Sequence, residues 1–301
     1  MTDHNLLSPY HLGRPEEVFK KPYLGSNKTF AAQRHDGEVI DSPEYKHCTL
    51  VNISLKKAKL KNGNFQDCIF IGCYFRRAEL NNCKFVGCRF FDCNFSHVSL
   101  KSCDFRYSIF RGCHIDYYEI KYSLPSEPNL RHELTRNLSV ESLRIGISQE
   151  SRQYRMAEID AHEQHLKAAI SGESQWYKEH FDCFGRFKAF FELTLSLLNR
   201  WLWGYGEHAT VLVRNLILLV FFVFPILFYV FKDQLSNNLG RQVGLFDFFY
   251  FSLENVIPAG GGSEIVAIGS ITRFLAGFES LLGVVSIALF AAYIFRWSIR
   301  R

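Results

Sequence analysis

The residues best placed to do chemistry lie between two apolar stretches. Leu245 to Glu264 reads LFDFFYFSLENVIPAGGGSE: an aromatic first half, a break at Ile257 and Pro258, then Ala259, Gly260, Gly261, Gly262 and Ser263. Consecutive carbonyls with almost no side chain around them can stand in for the water around a cation. Glycine also tolerates the left-handed angles that a narrow run of such carbonyls demands. Glu264 ends the run, where a ring of carboxylates would concentrate cations if several chains met around an axis. Glu254 and Asn255 lie in the aromatic half, and Glu279 lies in the second apolar stretch. Carboxylates in such surroundings are costly and are partnered or functional by default. The bland alternatives are a flexible glycine turn and an ordinary loop glutamate.

Other candidate chemistry is thinner. Nine cysteines in a cytosolic setting read as reduced thiols. No Cys-x-x-Cys pair with zinc spacing occurs among them. His162-Glu163-Gln164-His165 is one residue short of the spacing that places two imidazoles on one helix face beside a free glutamate. It reads as a solvated helix face. The sequence offers no nucleophile–base pair, cofactor motif or metal cluster, so it is not read as an enzyme. Catalytic and metal residues are assigned to none, and no cofactor is expected beyond a permeant monovalent or divalent cation.

The glycine run needs elements that bring it to membrane depth. Val211 to Phe231 and Phe274 to Phe295 are apolar, and each is long enough to cross a hydrocarbon core roughly 30 Å thick, which takes about 20 helical residues. The intervening stretch is too short to cross again. A short helix that re-enters and ends in an extended loop obeys the rule that non-helical backbone at that depth must line a cavity or be buried in protein. Before the first span, Phe187, Phe190, Phe191, Thr194, Leu197, Leu198 and Trp201 share one face of an amphipathic helix. Basic and aromatic anchors suit that helix to the membrane interface. Arg186, Lys188, Arg200 and Arg214 before the first span, with Arg296, Arg300 and Arg301 after the second, place both termini in the cytosol. No cleavable signal is expected in the polar Met1–Asp41.

These residues resemble the two-transmembrane pore-loop channels typified by bacterial potassium channels. Tyr250-Phe251-Ser252-Leu253 matches that family's pore helix, and Gly260 and Gly262 fall at its two filter glycines. Gly277 and Gly283 stand as candidate hinges of its inner helix. The filter departs from the family's pattern: Ile257 and Pro258 replace threonines, Ala259 a valine, Gly261 the tyrosine and Ser263 the aspartate. The resemblance therefore implies architecture and a fourfold assembly, and potassium preference is not carried over. It assigns the filter to Ile257–Ser263, the outer mouth to Glu264, bracing of pore helix and filter to Glu254, Asn255 and Glu279, and bending to Gly277 or Gly283.

The front of the chain carries a different signal. From Leu50 to Ile120 every fifth residue is large and apolar, fifteen in succession, and the residue two places earlier is usually small. A period of five is neither helical nor that of a simple strand. This resembles the pentapeptide-repeat family, whose right-handed square β-helix uses four repeats per coil. The resemblance implies almost four coils, a stub roughly 15–20 Å tall at the strand-layer spacing. Residues twenty apart would then stack: Cys48, Cys68 and Cys88 in one column, Cys73, Cys93 and Cys113 in another, Cys83 and Cys103 in a third. Packing of small, soft side chains explains such columns without metal or redox chemistry. Between Lys46 and Leu124 there are 13 Lys and Arg against 6 Asp and Glu, a balance of +7, which excludes an acidic imitation of DNA.

The expected fold class is multidomain: a cytosolic right-handed quadrilateral β-helix of pentapeptide repeats, an α-helical linker and an α-helical two-transmembrane pore-loop domain. The boundaries are an irregular leader at 1–45, the β-helix at 46–124, the polar helical linker at 125–185, the interfacial helix at 186–206 and the channel domain at 207–301. The expected function is a tetrameric cation channel of the plasma (inner) membrane, multi-pass, with the β-helix as regulatory or assembly module. The alternative is a non-conducting, membrane-anchored scaffold. Expected partners are the lipid bilayer, further copies of the chain and a cytosolic protein on the β-helix; nucleic acid is not among them.

Overall fold

The computed structural model describes residues 16–17, 19–21, 23–206, 209–237, 243–257 and 264–299. The chain divides into two units, 1–190 and 191–301, and each is described by itself.

The first unit opens with short strands separated by turns; Glu16 pairs with Thr29, and from Leu24 onward the strands stack twenty residues apart. One ladder runs through strands Glu16–Glu17, Thr29–Ala31, Thr49–Val51, Ile69–Ile71, Arg89–Phe91 and Ile109–Arg111. Two four-stranded ladders form further faces, each recording four successive turns. Bridges from Arg34 through Ser54, Tyr74 and Asn94 to His114 make the fourth. Every pairing is parallel in register, as in Leu50 opposite Phe70 and Phe70 opposite Phe90. The result is a four-sided β-solenoid of about four turns.

The central apolar residue of each pentapeptide points inward, and rings twenty apart lie flat on one another. Phe75 and Phe95 stack at 4.7 Å and 3°, and Phe90 and Phe110 at 4.7 Å and 6°. The column Tyr45, Phe65, Phe85 and Phe105 has Phe19 stacked on its first ring at 5.0 Å. Strands therefore reach back to Glu16, and four of them run between Leu24 and Lys46 in register with the later coils, although residues 1–45 are expected as an irregular leader. Phe30, Ile40 and Tyr45 continue the period of five and are buried. Gly25 and His35 interrupt it at two positions, which hides this turn from a pattern search.

The cysteine columns exist, and each thiol has a structural partner. Cys73 lies 3.4 Å from the Leu50 carbonyl, Cys88 3.4 Å from that of Phe65, and Cys93 3.5 Å from that of Phe70, always 23 residues back. At the next place in the first column, Ser108 donates in the same way to the Phe85 carbonyl. A small side chain with a weak donor is what this narrow interior accepts. Burial, with hydrogen bonds from Cys113 and Cys73, pushes the Cys93 thiol well above its ordinary value.

Helices follow: α1 (Tyr117–Ile120), α2 (Pro128–Arg144), α3 (Ser148–Ser171) and α4 (Gln175–His180). The segment expected as a linker seals the last coil. Asn137 of α2 accepts from the Phe110 amide at 2.8 Å and donates to its carbonyl at 3.0 Å. Glu141, also of α2, accepts from the Gly112 amide at 2.7 Å, and Tyr154 of α3 donates to the Ile115 carbonyl at 2.8 Å. Leu134, Leu138 and Tyr154 join the solenoid core. Exposed strand edges invite further pairing, and this one is covered.

The stretch from His162 to His165 is not a solvated face. Glu163 is buried, and His165 packs against Tyr177 and Phe181 with its Nδ1 2.9 Å from the Tyr177 hydroxyl. The reason is that α4 folds back onto α3, which the local pattern does not reveal. His132 of α2 meets His162 at 5.3 Å between ring centres.

Both the thiols and the imidazoles of this unit can be tested. In the native protein one thiol per chain, the exposed Cys183, should react with a maleimide, and all nine should react after unfolding. Burial, then His162, Arg136 and His165, hold His132 below the usual imidazole range; burial and His162 do the same to His165. The unfolded imidazoles take up protons below about pH 6.5 while the folded ones resist. Stability is therefore complete above that pH and declines as pH falls through it. The unfolding midpoint should drop between about pH 7 and pH 5.5, and His165→Phe should flatten that slope.

Candidate functional site: a short aromatic helix between two apolar helices

The second unit is built from α5 (Cys183–Trp203, whose first residues lie before the division), α6 (Ala209–Leu218), a π-helical segment (Leu219–Val223), α7 (Phe224–Val230), α8 (Leu245–Val256) and α9 (Ser270–Ile299). Two helical stretches, Ala209–Val230 and Ser270–Phe295, are long and apolar enough to cross a membrane. Their outward side chains are apolar and exposed, among them Phe222, Ile226, Leu281 and Val284. α5 exposes Phe187, Phe190, Phe191, Leu197, Leu198 and Trp201, the face expected to be apolar. Asn215 of α6 is buried and donates to the carbonyls of Trp201 and Leu202 at the end of α5, the second at 3.2 Å. That tie fixes the end of α5 to the first apolar helix, and no periodicity marks it.

The ends of the two apolar helices are held together. Strand Leu235–Asn237 pairs antiparallel with strand Ile265–Ala267. The Gln234 carbonyl accepts from the amides of Ile268 and Gly269 at 3.0 Å and from the Thr272 hydroxyl at 3.1 Å. The segment between the two strands therefore leaves and returns at one end of the helix pair.

Within that segment, contacts of α8 track down both helices. Phe248 meets Tyr229 at 5.9 Å, and Phe251 meets Phe228 at 4.9 Å. The Ser252 hydroxyl then lies 2.8 Å from the Val220 carbonyl and against Glu279 Oε1. Asn255 Nδ2 donates to Glu279 Oε2 at 3.1 Å. At the last turn Val256 lies over Gly283, where an added Cβ would stand 2.7 Å from the Val256 carbonyl oxygen. Gly283 is 13 residues into α9, roughly 20 Å along its axis. A twelve-residue helix about 18 Å long thus reaches about halfway along α9 and ends.

The π segment explains why Val220 offers its carbonyl. Pro225 has no amide proton and its ring crowds the preceding turn. The helix relaxes into wider bonding, with the Phe224 amide on the Leu219 carbonyl. Such bulges re-aim backbone groups within a helix, and Ser252 meets one of them. Sequence reasoning placed Ser252 only within a motif and gave Val220 no role; Pro225 inside an apolar run was the available signal.

Of the residues singled out from sequence, Asn255 and Glu279 come together. Glu254 stands apart from them and lines a shallow hollow with Asp247, Tyr250, Phe251, Glu264 and Ile265; the other partner of Glu279 is Ser252. Ile257 is exposed, Glu264 is exposed, and Gly277 faces open space. Pro258, Ala259, Gly260, Gly261, Gly262 and Ser263 lie outside the described residues. Among the described residues no group of three His, Cys, Asp or Glu side chains is arranged to hold a metal ion.

Comparison with known proteins bears on the first unit. Residues 40–120 match the family model described as a pentapeptide repeat region. Two solved structures are similar over less than a third of the chain. A trypsin-treated form of QnrB1, a plasmid-mediated fluoroquinolone resistance protein, is 14% identical, over 30% of this chain and 54% of its own, with a TM-score of 0.22. The pentapeptide repeat protein Rfr23 from the cyanobacterium Cyanothece 51142 is 12% identical, over 29% and 79%, with a TM-score of 0.16. The chain thus spans about half the length of the QnrB1 chain it matches. No curated protein sequence matches it. The class defined by the four-sided ladders and the period of five is the β-solenoid. More particularly, the N-terminal region is a pentapeptide-repeat solenoid, followed by a helical region with two apolar helices of membrane-spanning length.

The close approach at Gly283 yields a direct test. Gly283→Val forces backbone apart and should cost about 1–3 kcal/mol, read as a lower unfolding midpoint of the purified protein. Gly277→Ala, with nothing within 4 Å of the new methyl group, should raise the midpoint slightly, since alanine favours a helix interior by up to about 1 kcal/mol.

Proposed function

We propose that the chain is one subunit of an oligomeric cation channel of the plasma (inner) membrane, the tetramer being the expected assembly, with the β-solenoid as a cytosolic regulatory or assembly module. The observation that carries this reading is the course of α8. It is apolar and aromatic, it is too short to cross, and it is packed to mid-depth between two helices of spanning length while its flanks are strand-paired at one end. A helix so placed delivers Ile257 to the middle of a membrane, where bare carbonyls have a use. In this reading Ile257–Ser263 form the filter. Glu264, with Glu254 and Asp247 in the neighbouring hollow, supplies negative charge at the mouth. Gly283 is taken up in packing against α8, so bending of α9 falls to Gly277.

Two spans and one loop per chain enclose no pore, which is why assembly belongs to the proposal. The exposed apolar side chains of both spanning helices are available for lipid and for other copies. A membrane-anchored scaffold that does not conduct is the alternative, favoured by the replaced filter residues.

Purified protein in a planar bilayer tests this. Under a salt gradient the current should reverse near the cation equilibrium potential, and Gly261→Ala should alter or abolish it. Reversal near the chloride potential would discard cation selectivity. Silence from an assembled oligomer, both intact and with the cytosolic region removed, would favour the scaffold.

A further inference from the structure

Glu279 raises a question of hydrogen counting. Its carboxyl is fully buried in α9, and its two oxygens meet different partners. Asn255 Nδ2 donates to Oε2 at 3.1 Å. Oε1 lies against the Ser252 hydroxyl, whose oxygen is also 2.8 Å from the Val220 carbonyl. A serine hydroxyl has one proton to donate, and a carbonyl has none. If Ser252 donates to Val220, the contact with Glu279 needs a proton from Glu279. If Ser252 donates to Glu279 instead, two bare oxygens face each other across 2.8 Å in a buried site, and the Val220 carbonyl goes without that donor.

We infer that Glu279 is a neutral carboxylic acid and acts as a hydrogen-bond donor: Oε1–H donates to Ser252, Ser252 donates to the Val220 carbonyl, and Oε2 accepts from Asn255. All contacts are then satisfied in one chain of bonds, and no net charge is buried among Ser252, Val256 and the apolar side chains of α9. Among the described residues no Lys or Arg pairs with Glu279, so nothing there compensates an ionised carboxylate. The acid is a positioning residue. It latches the second span to α8 and, through Ser252, to the π segment of the first. The inference rests on this geometry and stands whether or not the protein conducts.

The amide of glutamine reproduces the pattern, since its nitrogen donates where the acid O–H does and its oxygen accepts from Asn255. In full-length protein reconstituted in lipid nanodiscs, Glu279→Gln should melt at the wild-type temperature at neutral pH, while Glu279→Ala should melt several degrees lower. Wild type should lose stability in alkaline buffer, as the acid gives up its proton, relative to Glu279→Gln. Infrared spectra should contain a carboxylic-acid C=O band in wild type that shifts in heavy water and is missing from Glu279→Gln. The inference is overturned if that band is identical in the two proteins. It is equally overturned if the glutamine variant fails to assemble or is as unstable as the alanine variant.

Discussion

A backbone carbonyl or amide removed from water must find a partner, and both units of this chain are arranged around that requirement. In the solenoid the partners are twenty residues away along the axis, turn upon turn, so the main chain is satisfied between layers and the interior is left to side chains. In the helical unit most bonding is within helices, and the exceptions define the structure. The Val220 carbonyl at the π segment finds Ser252, the carbonyls ending α5 find Asn215, and the Gln234 carbonyl gathers three donors at the start of α9.

The interior of the solenoid is plain in the sequence because its period is enforced by geometry: any residue five places on must fill the same kind of space. Where the space is filled another way the signal fades. Gly25 leaves room taken by the Tyr45 ring, and His35 packs beside Phe19, so the first turn reads as irregular although its strands are in register. The cap is hidden for a different reason. Asn137 and Glu141 are ordinary polar residues of a polar helix, and only the coil they meet distinguishes them from solvated ones.

In the apolar half, length and hydropathy announce the two long helices, and composition announces α8. Partnership is less legible. Asn255 and Glu279 stand out as polar groups in apolar surroundings and are joined, whereas Glu254, identical in kind to Glu279, faces a hollow shared with two other carboxylates. One residue of α8, about 100° of rotation, separates Asn255 from Glu254, and sequence spacing across a loop does not fix that rotation. Ser252 is invisible as a partner because a serine among aromatics is unremarkable until a helix across from it carries a bulge.

The cap on the last coil has a bearing on assembly. A stack of parallel strands presents the same pattern of donors and acceptors at its end as between its layers, so an open end is a template for another copy. Here the main-chain groups of Phe110 and Gly112 are already consumed by Asn137 and Glu141. The solenoid therefore has a blunt end here, and stacking of further strands is closed off at the point where the helices begin.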